Sequence, residues 1–162
     1  MAWAKNETNT LTGTGDNMDL TSLTAYKFNQ FMFHISGGSS NQTTGHLTFN
    51  DNNNSVYARR QETNGGTDAT TASAVKIQFD TISNHGDQFA QIKVISISAE
   101  EKLAIADVIW ANTAGAGNAP ERVQMVFKFV PSPDADITRL DLNNTYSGDY
   151  QIGDNVTALG TD

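Results

Sequence analysis

The sequence predicts an all-β fold, a single-domain antiparallel β-sandwich of jelly-roll-like form with about eight to ten strands. Three observations carry this. Segments such as Val123–Val130 alternate apolar and polar residues with a period of two, the pattern of a half-buried strand. Asn, Thr, Asp, Ser and Gly are abundant and fall in clusters between those segments, where they serve turns. The short strand-like runs recur at regular spacing, as they do in sandwiches and barrels.

Taken in order, Met1–Leu20 is polar, with Trp3, Leu11, Met18 and Leu20 as its large apolar residues. It reads as an N-terminal arm or edge strand over residues 1–20, leaving 21–162 as the sandwich. Tyr26–Ile35 is the first strong strand. Tyr26 and Phe28 lead, then Phe31, Phe33 and Ile35 take over, and this one-residue change of phase predicts a β-bulge near Asn29-Gln30. Gly37–Gly45 is rich in turn residues. His46–Asn50 and Ser55–Arg60 form short strands around Asp51-Asn-Asn-Asn54. Gln61–Thr71 holds Asn64-Gly-Gly66 and lacks an apolar anchor, so an exposed loop is expected there. Ala74–Phe79 alternates Val75, Ile77 and Phe79, and Phe89–Ile97 follows the turn cluster Asn84–Asp87.

The stretch Ala99–Val130 organises the rest. Val123, Met125, Phe127 and Phe129 alternate with Arg122, Gln124 and Lys128, so four large side chains face one core. The partner run is less direct. Ser98-Ala-Glu-Glu101 spells a helix capping box, but Val108, Ile109 and Trp110 favour a strand. A tight turn over Glu100–Lys102 and a strand over Leu103–Asn112 is the preferred reading. The loop Ala111–Pro120 contains Gly115 and Gly117 but lacks the Gly-Lys-Ser/Thr of a P-loop and the third glycine of GxGxxG, so it connects strands. After Pro131–Asp136 breaks the chain, Ile137–Leu142, Gly148–Gly153 and Asn155–Gly160 close the domain.

Composition narrows the function classes. The formal charge of −8 leaves no basic stripe to replace phosphate counterions, which argues against direct nucleic-acid binding. Cysteine is absent, which excludes disulfides and thiolate metal sites. No apolar run approaches membrane-spanning length, so no membrane partner is expected. Met1–Asn6 lacks a basic region leading into an apolar core, so synthesis in a cytoplasm is expected.

Several stretches, in their order along the chain, carry a resemblance. They are Ala25-Tyr-Lys-Phe-Asn-Gln-Phe31, Ile97-Ser-Ala-Glu-Glu-Lys-Leu-Ala104, Ala114-Gly-Ala-Gly-Asn-Ala-Pro120, Asp136-Ile-Thr-Arg-Leu-Asp-Leu142 and the ending Gly148–Gly160. Together they resemble small β-sandwich virion proteins of tailed, often marine, phages. The resemblance implies a structural part located in the virion, decorating the capsid or forming part of a fibre, with no catalytic residues to carry over.

Chemistry is sparsely signalled. His34, His46 and His85 lack HxH or HxxxH spacing, so a metal triad is not expected. No serine sits in GxSxG. The neighbours Asp134/Asp136 and Glu100/Glu101 do not face each other across a cleft as glycosidase carboxylates must. Asp51–Asn54, Asp134–Asp136 and Asp149/Asp154 offer oxygen ligands for calcium, yet turn formation accounts for them. Tyr57, Trp110, Tyr146 and Tyr150 are the aromatic candidates for a sugar platform.

These readings converge on a non-enzymatic virion structural protein, with no catalytic, cofactor-binding or metal residues and no cofactor. Capsid decoration is the leading expectation. The alternative is a carbohydrate- or receptor-binding module of a tail or head fibre, with a surface glycan as partner. The expected partners are further copies of the chain, a trimer being favoured, and the major capsid protein or another virion protein. Trp3 and Leu11 are the candidate assembly residues, anchors that a neighbouring subunit could bury.

Overall fold

A computed structural model describes residues 2–36, 45–79, 87–111, 115–131 and 135–162. Most of the Gly37–Gly45 loop, the Asn84–His85 turn, Asp134 and part of the Ala111–Pro120 loop lie outside them. The described residues form twelve strands in chain order: β1 (Ala4–Thr10), β2 (Asn17–Leu20), β3 (Phe28–Ile35), β4 (His46–Phe49), β5 (Tyr57–Thr63), β6 (Ala69–Ala74), β7 (Ile77–Gln78), β8 (Gln88–Ile95), β9 (Lys102–Trp110), β10 (Glu121–Phe129), β11 (Leu140–Asn143) and β12 (Asn155–Thr161). They build two antiparallel sheets, a single-domain sandwich with unequal layers. The large sheet runs β1-β12-β3-β8-β9-β10-β5-β6 and the small one β2-β11-β4-β7.

The core lies between the layers because one face of each strand is apolar. From the large sheet come Phe31, Phe33 and Ile35 of β3, Ile92 and Val94 of β8, Val108 and Trp110 of β9, and Val123, Met125, Phe127 and Phe129 of β10. The small sheet answers with Met18, Leu20, Leu47, Phe49, Ile77, Leu140 and Leu142. Phe49 is the hub. Its ring centroid lies 5.8 Å from Phe31, 6.4 Å from Phe127 and 5.6 Å from Phe129, while Tyr57 stacks on Phe129 at 5.0 Å. Deleting a buried aromatic ring from such a core typically costs about 3–5 kcal/mol.

Several expectations are corrected. β3 pairs with β12 and β8 in unbroken register from Phe28 to Ile35, so there is no bulge at Asn29-Gln30. The change of phase arises because Tyr26 precedes the strand, its ring lying against Gly160 where any Cβ would overlap it, and because Phe28 is on the outer face of β3 while Phe31, Phe33 and Ile35 face the core. Residues 61–71 are not one loop. β5 continues to Thr63, and Asn64 (φ 53°) and Gly65 (φ 73°) make a left-handed turn before β6. Gly148–Gly153 contributes one isolated bridge, Tyr150 to Gly15, in place of a strand. The extra strands β1 and β6 are sheet edges with little or no buried face, so they carry no alternation to read.

The tight turn expected over Glu100–Lys102 lies earlier, at Ile97–Glu100, and the strand starts at Lys102, one residue earlier than expected. Ala99 takes φ 62° and the Glu100 N–H donates to the Ile97 carbonyl at 3.2 Å. Lys102 is buried on the inner face of β9, and its ammonium donates to the carbonyls of Ile97 (2.5 Å) and Glu100 (2.7 Å). The lysine thus closes the turn that the capping-box letters only imitate.

Candidate interaction face and polar cleft

The outer face of the large sheet follows from β9. Lys102, Ala104, Ala106, Val108 and Trp110 are buried, so Leu103, Ile105, Asp107 and Ile109 must point away from the core. Three of those four are large and apolar, and each is about half exposed: 55%, 52% and 46% for Leu103, Ile105 and Ile109. The neighbouring strands extend the patch. Phe89 of β8 pairs with Ile109, Ile95 with Leu103, and Val126 of β10 with Ile105. Phe89 and Val126 are themselves 43% and 50% exposed. Isolated surface hydrophobics are ordinary; here Ile95, Leu103, Ile105 and Val126 adjoin one another, and the Phe89–Ile109 pair lies beyond the intervening Gln91–Asp107–Gln124 row.

Cross-strand register sorts the charges beside this stripe. One row across the sheet reads Lys93, Ile105, Val126, Arg60; the next reads Gln91, Asp107, Gln124, Glu62. The first row is basic and the second acidic. A groove of about 740 Å³ runs between Leu103, Ile105 and Val126 on one side and Thr70–Ala72 of β6 on the other. Lys128 at its end is held by Glu101 at 2.9 Å, and Arg60 by Asp68 at 2.8 Å.

The small sheet presents the opposite chemistry. Its outward residues form two rows, Asn17–Asn143–His46–Gln78 and Asp19–Asp141–Thr48, every one polar. His46, Thr48 and Asp141 are nonetheless buried, because the loops bearing Asp51, Lys76 and Thr145 fold over them. His46 Nδ1 lies 2.9 Å from both Lys76 Nζ and Thr145 Oγ1. Burial, and then the neighbouring Lys76, push its imidazole down to about 4. The Asp51 N–H donates to Asp141 Oδ2 at 3.0 Å, and the Arg139 guanidinium pairs with Asp141 and Asp19. Burial and the Asp141 carboxylate raise Asp19 from its ordinary value. Between these loops a cleft of about 380 Å³ remains.

The structure separates the other candidates. Tyr57, Trp110 and Tyr150 are buried, so three of the four sugar-platform aromatics belong to the core. The Tyr57 hydroxyl accepts from the Phe49 N–H and donates to the Asn52 carbonyl, which explains a tyrosine at that buried position. Tyr146 is 41% exposed. His34 lies half-buried on the outer face of β3, apart from His46. Asp154 is buried and accepts from the main-chain N–H groups of Ser36 and Gln151, each at 2.8 Å, while Asp149 is exposed. Among the described residues no three His, Asp or Glu side chains converge as a metal site would require.

Leu11 packs against its own core, with main-chain bonds to Asp154 and Gly153, and so is held within its own subunit. Trp3, 50% exposed, stands just before β1. The exposed apolar patch on β8–β10 was missed in the sequence, although the β9 run, apolar from Leu103 to Trp110 except at Asp107, was its signal: such a run leaves apolar side chains on both faces. No family model, no curated protein and no solved structure matches this chain.

Proposed function

We propose that this chain is a non-enzymatic structural protein of a phage particle, a capsid decoration protein that self-associates on the particle surface, with a trimer favoured. The observation that carries the reading is the apolar stripe Phe89, Leu103, Ile105, Ile109 and Val126 on the outer face of the large sheet. A second copy of the chain is the occupant that suits it. The stripe supplies hydrophobic contact, and the adjoining basic and acidic rows allow Lys93 and Arg60 of one copy to lie over Glu62 and Asp107 of another. Trp3, exposed before the edge strand, adds a side chain within reach of a neighbour. The phage assignment itself rests on the ordered motifs described above.

Sedimentation velocity on the full chain tests the self-association. At micromolar concentration the wild type is expected to sediment as an oligomer. Ile105→Glu puts a charge at the centre of the stripe and is expected to weaken assembly by about tenfold or more, with the β-rich circular dichroism spectrum unchanged. A wild type that stays monomeric would rule out self-association through this face. For decoration, the chain should co-purify with intact heads at a symmetric copy number, and its absence from heads would remove the capsid role.

A further inference from the structure

The small sheet poses a separate question: why an all-polar sheet face is roofed by loops when water would solvate it at no cost. Residues pointing away from a sandwich core are ordinarily left wet. Here His46 and Thr48 form the buried floor of a cleft, and the exposed side chains of Asn17, Asp51, Asn53 and Thr145 stand around it with Lys76 and one apolar residue, Val75. Its volume of about 380 Å³ falls in the range of small-molecule sites, roughly 300–1,000 Å³.

The lining selects a ligand class. Amides donate and accept, hydroxyls do both, Lys76 donates and Asp51 accepts, so the walls offer both hydrogen-bond roles around a small space. One ammonium and one carboxylate at the mouth balance, which gives no preference for an anion or a cation. An apolar ligand would leave these groups unpaired. A neutral molecule carrying several hydroxyls satisfies them. Tyr146 follows Thr145, a lining residue, directly and is 41% exposed. An exposed aromatic beside such a cleft gives the apolar face of a sugar ring a surface to lie on.

We infer that this cleft between β2, β4, β11 and the loops of Asp51, Lys76 and Thr145 is a saccharide-binding site for one or two neutral sugar units. Asn17, Asn53, Asp51 and Lys76 bond the hydroxyls, and Tyr146 stacks on the ring. The site does not depend on self-association, since it lies on the sheet opposite the apolar stripe.

The full ¹⁵N-labelled chain would be titrated separately with glucose, galactose, mannose, rhamnose, N-acetylglucosamine and N-acetylgalactosamine, and followed by amide shifts. At least one sugar is expected to move the amides of Asn17, Asn53 and Thr145 with saturation. Tyr146→Ala and Asn53→Ala, both at exposed positions, should each weaken that sugar roughly tenfold while leaving the rest of the spectrum folded. The inference is overturned if none of the six sugars moves those amides. It is equally overturned if the shifts map to another surface, or if both variants bind as the wild type does.

Discussion

His46 shows how a single side chain can look unremarkable in sequence and become informative once its surroundings are known. A strand-start histidine with no spaced partner gives no signal, yet the fold seats it beneath Lys76 and Thr145 and holds the imidazole neutral down to about 4. In the unfolded chain it titrates near 6.5. Between those values the unfolded state binds more protons, so stability rises with pH from about 4 to 6.5 and is lost as pH falls through that window. The contribution amounts to at most about 3 kcal/mol. Urea midpoints measured across the window should rise with pH more steeply in the wild type than in His46→Gln, and identical slopes would remove the buried neutral histidine. The aromatics teach the converse. Tyr57, Trp110 and Tyr150 share with Tyr146 the chemistry of a sugar platform, and only tertiary packing decides which ring is left outside.

Among the elements, legibility followed burial on one face. β3 and β10 alternate in the sequence because each borders the core, and the structure buries Phe31, Phe33 and Ile35 of the one and Val123, Met125, Phe127 and Phe129 of the other there. β1 and β6 lack such a face, and β7 has only two residues, too few for any period to emerge. β1 also changes the reading of the N-terminal arm. It pairs with β12 from Ala4–Gly160 to Thr10–Asn155. Glu7 accepts from the main-chain N–H groups of Thr21 and Ser22, and Asn6 exchanges two bonds with Thr24. The strand therefore ties the edge of the large sheet to the segment that leads out of β2. Removing Met1–Thr12 should lower the unfolding free energy by at least about 2 kcal/mol, since each lost hydrogen bond is worth ~0.5–1.5 kcal/mol. Equal urea midpoints for the truncated and full chains would show that β1 contributes assembly contacts only.

At the scale of the molecule, the fold class was legible because it depends on periodicity and turn composition, which are local. The apolar patch and the polar cleft were not, since each gathers residues from distant strands: the patch joins β8, β9 and β10, and the cleft joins β2, β4 and β11 with three loops. A chain of charge −8 divides its surface by sheet, with the exposed apolar residues on the large one and the polar cleft on the small one. The pairing of β1 with β12 has a kinetic consequence as well. It joins residues 4–10 to residues 155–160, so this ladder must close a loop of roughly 145 residues or more before its hydrogen bonds form. A sandwich built on such distant pairings belongs to the high-contact-order class, which folds on the order of milliseconds to seconds rather than microseconds. Stopped-flow refolding should therefore show a slow main phase, and the β1 edge is the natural last piece to dock. Until it does, β12 is an open edge strand, so newly made chains have a short period in which one copy's β1 can be borrowed by another.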